Sequence, residues 1–95
     1  MRPYEIVVVV RADLSEADMA TQIETIKGWV TAKEGSITQV DHWGRRRLAY
    51  PVARQRDGYY VLIKAELPAT APKEIERSLR IAENILRFLV IREGD

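Results

Sequence analysis

Several residue types that commonly build reactive or covalently stabilised sites are scarce in this chain. It has no cysteine and one histidine among 95 residues, which excludes disulfides, thiolate-bound metals and sites built on two imidazoles. No apolar run approaches the roughly 18 residues of a membrane span, and the N-terminus shows no signal or transit peptide pattern. The sequence therefore predicts a soluble, cytoplasmic protein without a metal site.

Catalytic motifs are also missing. The five glycines form neither a G-x-G-x-x-G pattern nor a G-K-[ST] phosphate loop. The single histidine, His42, follows Asp41, and because successive strand residues point to opposite faces, the two do not make an obvious acid–base pair. We expect no enzymatic activity and no cofactor.

Positive charge is concentrated in residues 44–60, which we call the basic hairpin. The whole chain has 15 basic and 14 acidic side chains, yet residues 45–56 contain five arginines and no acidic residue. The turn signal Asp57-Gly58 between two apolar runs predicts two strands joined by a turn. A local basic patch suits an anionic partner. Arginines that only keep an edge hairpin soluble would give the same pattern.

Hydrophobic patterning predicts four strands. The first, at residues 4–10, is almost continuously apolar and β-branched, as in a central strand. The second, at residues 36–52, is too long to be regular and is expected to bulge or bend at Gly44. The third is expected at residues 59–67 and the fourth at residues 85–91.

Two helices are predicted between these strands. Ser15 with Asp18 resembles a capping box at the start of the first helix, and Gly35 is a natural stop after it. Pro72 fits the first turn of the second helix, with Thr70 or Ala71 as its N-cap. Apolar residues recur at helical spacing in both segments: Met19, Ile23, Ile26 and Val30 in the first, and Ile75, Leu79 and Ala82 in the second.

The resulting order, βαββαβ, predicts a single α+β domain over residues 1–95. Right-handed crossovers interleave the two βαβ halves into a four-stranded antiparallel sheet of order 4-1-3-2, with both helices on one face. The second strand, which carries much of the basic hairpin, is then an edge strand. An edge strand can pair with a chosen partner, and its charges deter unspecific pairing.

Aromatic residues on the predicted strands allow two interpretations. In RNA-recognition modules of this topology, strand aromatics stack on unpaired bases. Here the third strand lacks the basic-glycine-aromatic signature of those modules. Packing in the core is therefore the better prediction for at least half of the four rings concerned: Tyr4, Tyr59, Tyr60 and Phe88.

Four segments in the same order resemble the bacterial small-subunit ribosomal protein six family. They are Arg2-x-Tyr4-Glu5, Gly44-Arg45-Arg46-Arg47-Leu48-Ala49-Tyr50-Pro51, Gly58-Tyr59, and Leu79-Arg80-Ile81 followed by Asn84-Ile85-Leu86-Arg87. This resemblance covers nearly the whole chain. It implies a ferredoxin-like, non-enzymatic domain of the small ribosomal subunit. It also implies binding to the central domain of the small-subunit rRNA as a heterodimer with small-subunit ribosomal protein eighteen.

The resemblance and the charge pattern together give two sets of candidate contact residues, although they leave the division of the arginine cluster open. On the RNA side we expect Arg2, Tyr4, Arg45, Arg54, Arg56, Arg80, Arg87 and Arg92. On the side of the partner protein we expect Asp41, His42, Arg46, Arg47, Leu48, Tyr50 and Pro51.

Two departures from the family pattern bear on the partner interface. The sequence ends at Gly94-Asp95, where many relatives continue into a tail, and Asp41-His42 replaces a more acidic pair. Because one fold hosts many functions, the sequence keeps an alternative open: a regulatory or oligomerising ferredoxin-like domain that binds a small ligand at a sheet edge.

Overall fold

A computed structural model describes residues 1–94, and Asp95, the last residue of the predicted domain, lies outside them. Six elements follow one another in the predicted order βαββαβ. None of the helices within residues 1–94 is long and apolar enough to cross a membrane. The elements are β1 (Arg2–Arg11), α1 (Glu16–Ala32), β2 (Ser36–Val52), β3 (Gln55–Leu67), α2 (Ala71–Ile81) and β4 (Ile85–Arg92).

The first helix begins and ends where local sequence signals place it. The side chain of Ser15 caps α1 by accepting a hydrogen bond of 3.1 Å from the backbone N–H of Asp18. At the other end, the N–H of Gly35 donates to the carbonyl oxygen of Val30 at 3.0 Å, which satisfies a terminal helix carbonyl. The predicted apolar stripe faces the core, with Ile23, Ile26 and Val30 buried.

The second helix is shorter and lacks a side-chain cap. Thr70 occupies the N-cap position without a capping hydrogen bond, and Pro72 lies in the first turn as predicted. Ile75 and Leu79 are buried. The third predicted stripe residue, Ala82, is the C-cap and is only half-buried, because the helix ends at Ile81.

The four strands form one antiparallel sheet in the order β2-β3-β1-β4, the predicted 4-1-3-2 order read from the other edge. Residues from both helices pack with alternate residues of the central strands, so the helices cover the same face of the sheet. This core includes Val8 and Ile63 from the strands and Ile26 and Ile75 from the helices. Three of the four strand aromatics named above, Tyr4, Tyr59 and Phe88, pack against it.

The turn of the basic hairpin lies elsewhere than predicted. Ala53 and Arg54, with φ of 49° and 67°, connect β2 and β3 in left-handed conformations, the geometry of a two-residue type I′ turn. Asp57-Gly58 lies inside β3, which begins at Gln55 rather than at Tyr59. A tertiary contact explains this glycine, because a Cβ at Gly58 would overlap Cγ1 of Val9.

The predicted irregularity of β2 is confirmed at Gly44. This glycine has φ of 85°, and the pairing register of β2 with β3 shifts between His42 and Gly44. Such a bulge bends the strand and increases its twist. It thereby redirects the outer half of the basic hairpin.

Candidate nucleic-acid and partner surface

Among the described residues, no helix covers one face of the sheet, and we call this the open face. Val8, Val61 and Phe88 point into the core, so their strand neighbours point to the opposite side. The open face therefore carries Val7 and Val9 from β1, Tyr60 and Leu62 from β3, and Arg87 and Leu89 from β4.

The outer part of the basic hairpin bends across the open face. In a flat sheet, β2 and β4 would lie about 14 Å apart, three strand spacings. Yet the ring centroid of Tyr50 in β2 lies 4.7 Å from Cζ of Arg87 in β4. Leu48, two residues before Tyr50 in β2, is only 8% exposed. Its Cδ2 would lie 3.4 Å from a Cβ at Gly58, the glycine that also approaches Val9.

The arginines differ in what occupies their guanidinium groups. Arg45 donates from Nε and Nη2 to Oδ2 of Asp57, at 3.2 and 2.9 Å. Three others lie over aromatic rings: Arg46 over Trp43 at 6.0 Å, Arg80 over Phe88 at 5.9 Å and Arg87 over Tyr50 at 4.7 Å. Within residues 1–94, the exposed Arg47, Arg54 and Arg56 form no ion pair.

The candidate RNA residues fall into two groups at opposite ends of the sheet. Arg2 begins β1, and Tyr4 lies opposite Arg92 of β4. At the other end, Arg87 lies opposite Val9, close to the hairpin. Arg80 joins it there, since both arginines line a surface cavity of about 510 Å³ beside β4. Arg54 and Arg56 lie at the hairpin tip, whereas Arg45 is occupied by Asp57.

The candidate partner residues follow the outer edge of the sheet along β2. Asp41 accepts a hydrogen bond from Nε2 of Gln39, while Nδ1 of His42 lies 3.1 Å from the hydroxyl of Tyr59 on the opposite face. Arg46, Arg47 and Pro51 are exposed. Tyr50 is 57% exposed. Leu48 differs from its neighbours in the hairpin, since its side chain is buried.

A second cavity of about 510 Å³ lies between the start of α1 and the hairpin side of the sheet. Apolar side chains such as Leu14 and Met19 line it together with His42, Arg45 and Tyr59. Within residues 1–94, no cluster of three His, Asp or Glu side chains has the arrangement of a metal site.

Comparison with known proteins bears on the family resemblance noted from the sequence. The family model for ribosomal protein S6 matches residues 3–92. The chain belongs to the ribosomal protein S6 family. The resemblance noted from the four sequence segments is thereby confirmed.

Relatives of similar length support the assignment to the S6 family. The chain is 40% identical to the small ribosomal subunit protein bS6 of Caldanaerobacter subterraneus subsp. tengcongensis over 95 residues, which is 100% of both chains. It is 38% identical to the bS6 protein of Moorella thermoacetica over 97% of this chain and 94% of the relative. These relatives are ribosomal proteins and not enzymes, which confirms the prediction of no enzymatic activity.

The fold of the S6 family is also seen in a solved structure. The crystal structure of 30S ribosomal protein S6 from Thermotoga maritima superposes with a TM-score of 0.91 at 24% identity, covering 97% of this chain and 87% of the other. This likeness confirms the ferredoxin-like fold.

Several exposed apolar residues on the surface of this S6 domain were not anticipated. Trp43 is 43% exposed and stacks on Tyr60 with ring centroids 6.5 Å apart and an interplanar angle of 18°. Leu89 and Ile91 of β4 are also exposed. The sequence did contain one signal for Trp43, since this residue directly precedes Gly44. A bulge at a glycine changes the direction of the neighbouring side chains and can expose a ring.

Proposed function

We propose that this chain is a structural constituent of the small ribosomal subunit in the bacterial cytoplasm. In this role it binds the central domain of the small-subunit rRNA together with small-subunit ribosomal protein eighteen. The observation that carries the proposal is the S6 family match over residues 3–92. The bS6 relatives, at close to 40% identity over nearly the whole chain, are all named as small-subunit proteins.

The chemistry on the RNA side is contact between arginine and phosphate. A guanidinium group presents its N–H donors in a planar fork that matches two phosphate oxygens. Arg54 and Arg56 at the hairpin tip form no ion pair within residues 1–94, so no carboxylate has to be displaced from them. Such contacts position a protein on RNA without reading its sequence, and they release counterions, so affinity falls as salt rises.

The partner side combines an open strand edge with exposed aromatic surface. Within the described residues, no strand pairs with the outer side of β2. The backbone groups on that side of β2 can therefore pair with an added strand. Tyr50 and Trp43 add exposed rings beside this edge, and aromatic residues together with arginine are enriched in protein–protein interfaces.

Affinity purification of the tagged, full-length chain from its native host tests the proposal. We expect the chain to sediment with the small subunit and, from dissociated subunits, to retain protein eighteen and fragments of the rRNA central domain. Arg87→Gln should retain less rRNA, whereas the matched control Arg77→Gln, an exposed arginine on α2 outside the candidate set, should retain as much as the wild type. Recovery of self-associated protein with neither rRNA nor protein eighteen would favour the ligand-binding alternative.

A further inference from the structure

The contact between Arg87 and Tyr50 joins two residues that the sequence placed on different interfaces. Cζ of Arg87 lies 4.7 Å from the ring centroid of Tyr50, well within the distance of about 6 Å at which a cation is attracted to an aromatic face. The corresponding distances for Arg46 and Arg80 are 6.0 and 5.9 Å. The guanidinium of Arg87 therefore lies closer to its aromatic ring than those of Arg46 and Arg80 do.

Within the described part of the chain, the donors of Arg87 are not used by an acidic side chain. No carboxylate within residues 1–94 forms an ion pair with it. Arg45 differs, since its Nε and Nη2 both donate to Asp57. With no such ion pair, the N–H groups of Arg87 stay available for a bidentate acceptor such as phosphate.

Tyr50 is held in place by the hairpin rather than by its own burial. Its side chain is 57% exposed, whereas Leu48, two residues earlier on the same strand, is 8% exposed. Both residues lie where the register of β2 with β3 shifts, between Arg47 and Val52. Leu48 therefore anchors the segment on the sheet, and Tyr50 extends from this anchor to Arg87.

We propose that Tyr50 is a positioning residue for RNA binding. Its ring holds the guanidinium of Arg87 so that the in-plane N–H groups face an RNA phosphate. This inference rests on the proposed function and assigns Tyr50 a role beyond contact with the partner protein. Long arginine side chains lose rotamer freedom when they bind, so an arginine that is already held binds phosphate at a lower entropic cost.

A double-mutant cycle tests the proposal. Full-length wild type, Tyr50→Leu, Arg87→Gln and the double variant are titrated with a transcript of the rRNA central domain, with protein eighteen saturating for each variant. From the usual strength of an exposed cation–π contact, Tyr50→Leu should weaken RNA binding about two- to fivefold. Its salt slope should move toward that of Arg87→Gln. The double variant should bind no more weakly than Arg87→Gln alone.

Two controls separate positioning from other roles of Tyr50. Tyr50→Phe keeps the ring face and should restore wild-type RNA affinity and salt slope. Protein eighteen is titrated without RNA, so that any effect of Tyr50→Leu on the heterodimer is measured separately. In NMR spectra of the free chain, the Nε–H resonance of Arg87 should shift in Tyr50→Leu but stay near its wild-type position in Tyr50→Phe.

The possible failures are distinguishable. Strictly additive losses in the cycle, an unchanged RNA affinity in Tyr50→Leu, or an equal loss in Tyr50→Phe would overturn the positioning role while leaving the proposed function intact. An Arg87→Gln variant that binds RNA like the wild type would also overturn it. A wild-type chain that binds no rRNA even with protein eighteen present would overturn the proposed function, and this inference with it.

Discussion

Replacing Leu48 with alanine tests whether the basic hairpin is anchored on the open face. Leu48 is 8% exposed, so the substitution removes buried apolar atoms from the hairpin's contact with the sheet. Leucine-to-alanine changes at buried sites usually cost about 2–5 kcal/mol. We expect a loss near the lower end, about 2 kcal/mol, because a hairpin at the sheet margin can close over part of the cavity.

Leu89→Ala is the matched control for this prediction. Leu89 lies on the same open face but is 53% exposed, so its replacement should cost less than about 1 kcal/mol. Urea denaturation measures both free energies of unfolding. In thermal scans, a loss of about 2 kcal/mol in a domain of this size corresponds to a decrease in Tm of about 8–16 °C.

Equal losses in the two variants would refute the reasoning, since burial would then not distinguish Leu48 from Leu89. A loss below about 1 kcal/mol in Leu48→Ala would mean that the hairpin is not packed on the sheet in solution. The contact between Tyr50 and Arg87 would then lose its structural support, because the anchor beside Tyr50 would be absent.

Three further results are expected. Ile26 is 1% exposed, so Ile26→Ala should cost about 2–5 kcal/mol of unfolding free energy; a loss below about 1 kcal/mol in a urea titration contradicts its core position. Lys33 contacts Glu74 at 2.8 Å and lowers the pKa of that carboxyl. The pair therefore stabilises the fold above the ordinary glutamate pKa, and this contribution is lost as the pH falls through the lowered pKa. Glu74→Gln should accordingly flatten the dependence of the urea midpoint on acidic pH, and an unchanged dependence contradicts this. The double change Arg46→Met and Arg47→Val removes two charges from an exposed edge strand, so homo-oligomers should form and the heterodimer with protein eighteen should be lost. A variant that stays monomeric in size-exclusion chromatography and binds the partner normally would contradict the proposal that β2 is the edge that binds the partner.

Local sequence signals were sufficient to predict features that depend on the backbone of a few neighbouring residues. Ser15 caps α1 as predicted, since the cap is a hydrogen bond between residues three apart. Gly44 adopts a positive φ at the bulge, a conformation that glycine adopts without steric cost. The apolar runs and the right-handed crossover rule then placed the four strands in the correct order.

The predicted position of the hairpin turn was wrong, because a glycine required by a tertiary contact has the same composition as a turn signal. Asp57-Gly58 has the composition of a two-residue turn, but the glycine is needed where β3 passes close to Val9. The observed turn at Ala53-Arg54 has no glycine or asparagine to mark it.

The candidate site was only partly accessible from the sequence. Charge patterning located the basic hairpin, since it requires only a count along the chain. The contact of Tyr50 with Arg87 could not be predicted, because the two residues lie on strands that do not pair and meet only where the hairpin bends. Contacts of this kind depend on the assembled sheet and leave no periodic signal.

The most direct test of the proposed role is a titration of the rRNA central domain with the chain at several salt concentrations, with and without protein eighteen. The account predicts affinity that is strongest with the partner present. It also predicts a log–log salt slope of about −3 or steeper, since each phosphate contact contributes about one unit and Arg54, Arg56 and Arg87 are proposed to make such contacts. Binding that is absent in both conditions, or that is independent of salt, would contradict it.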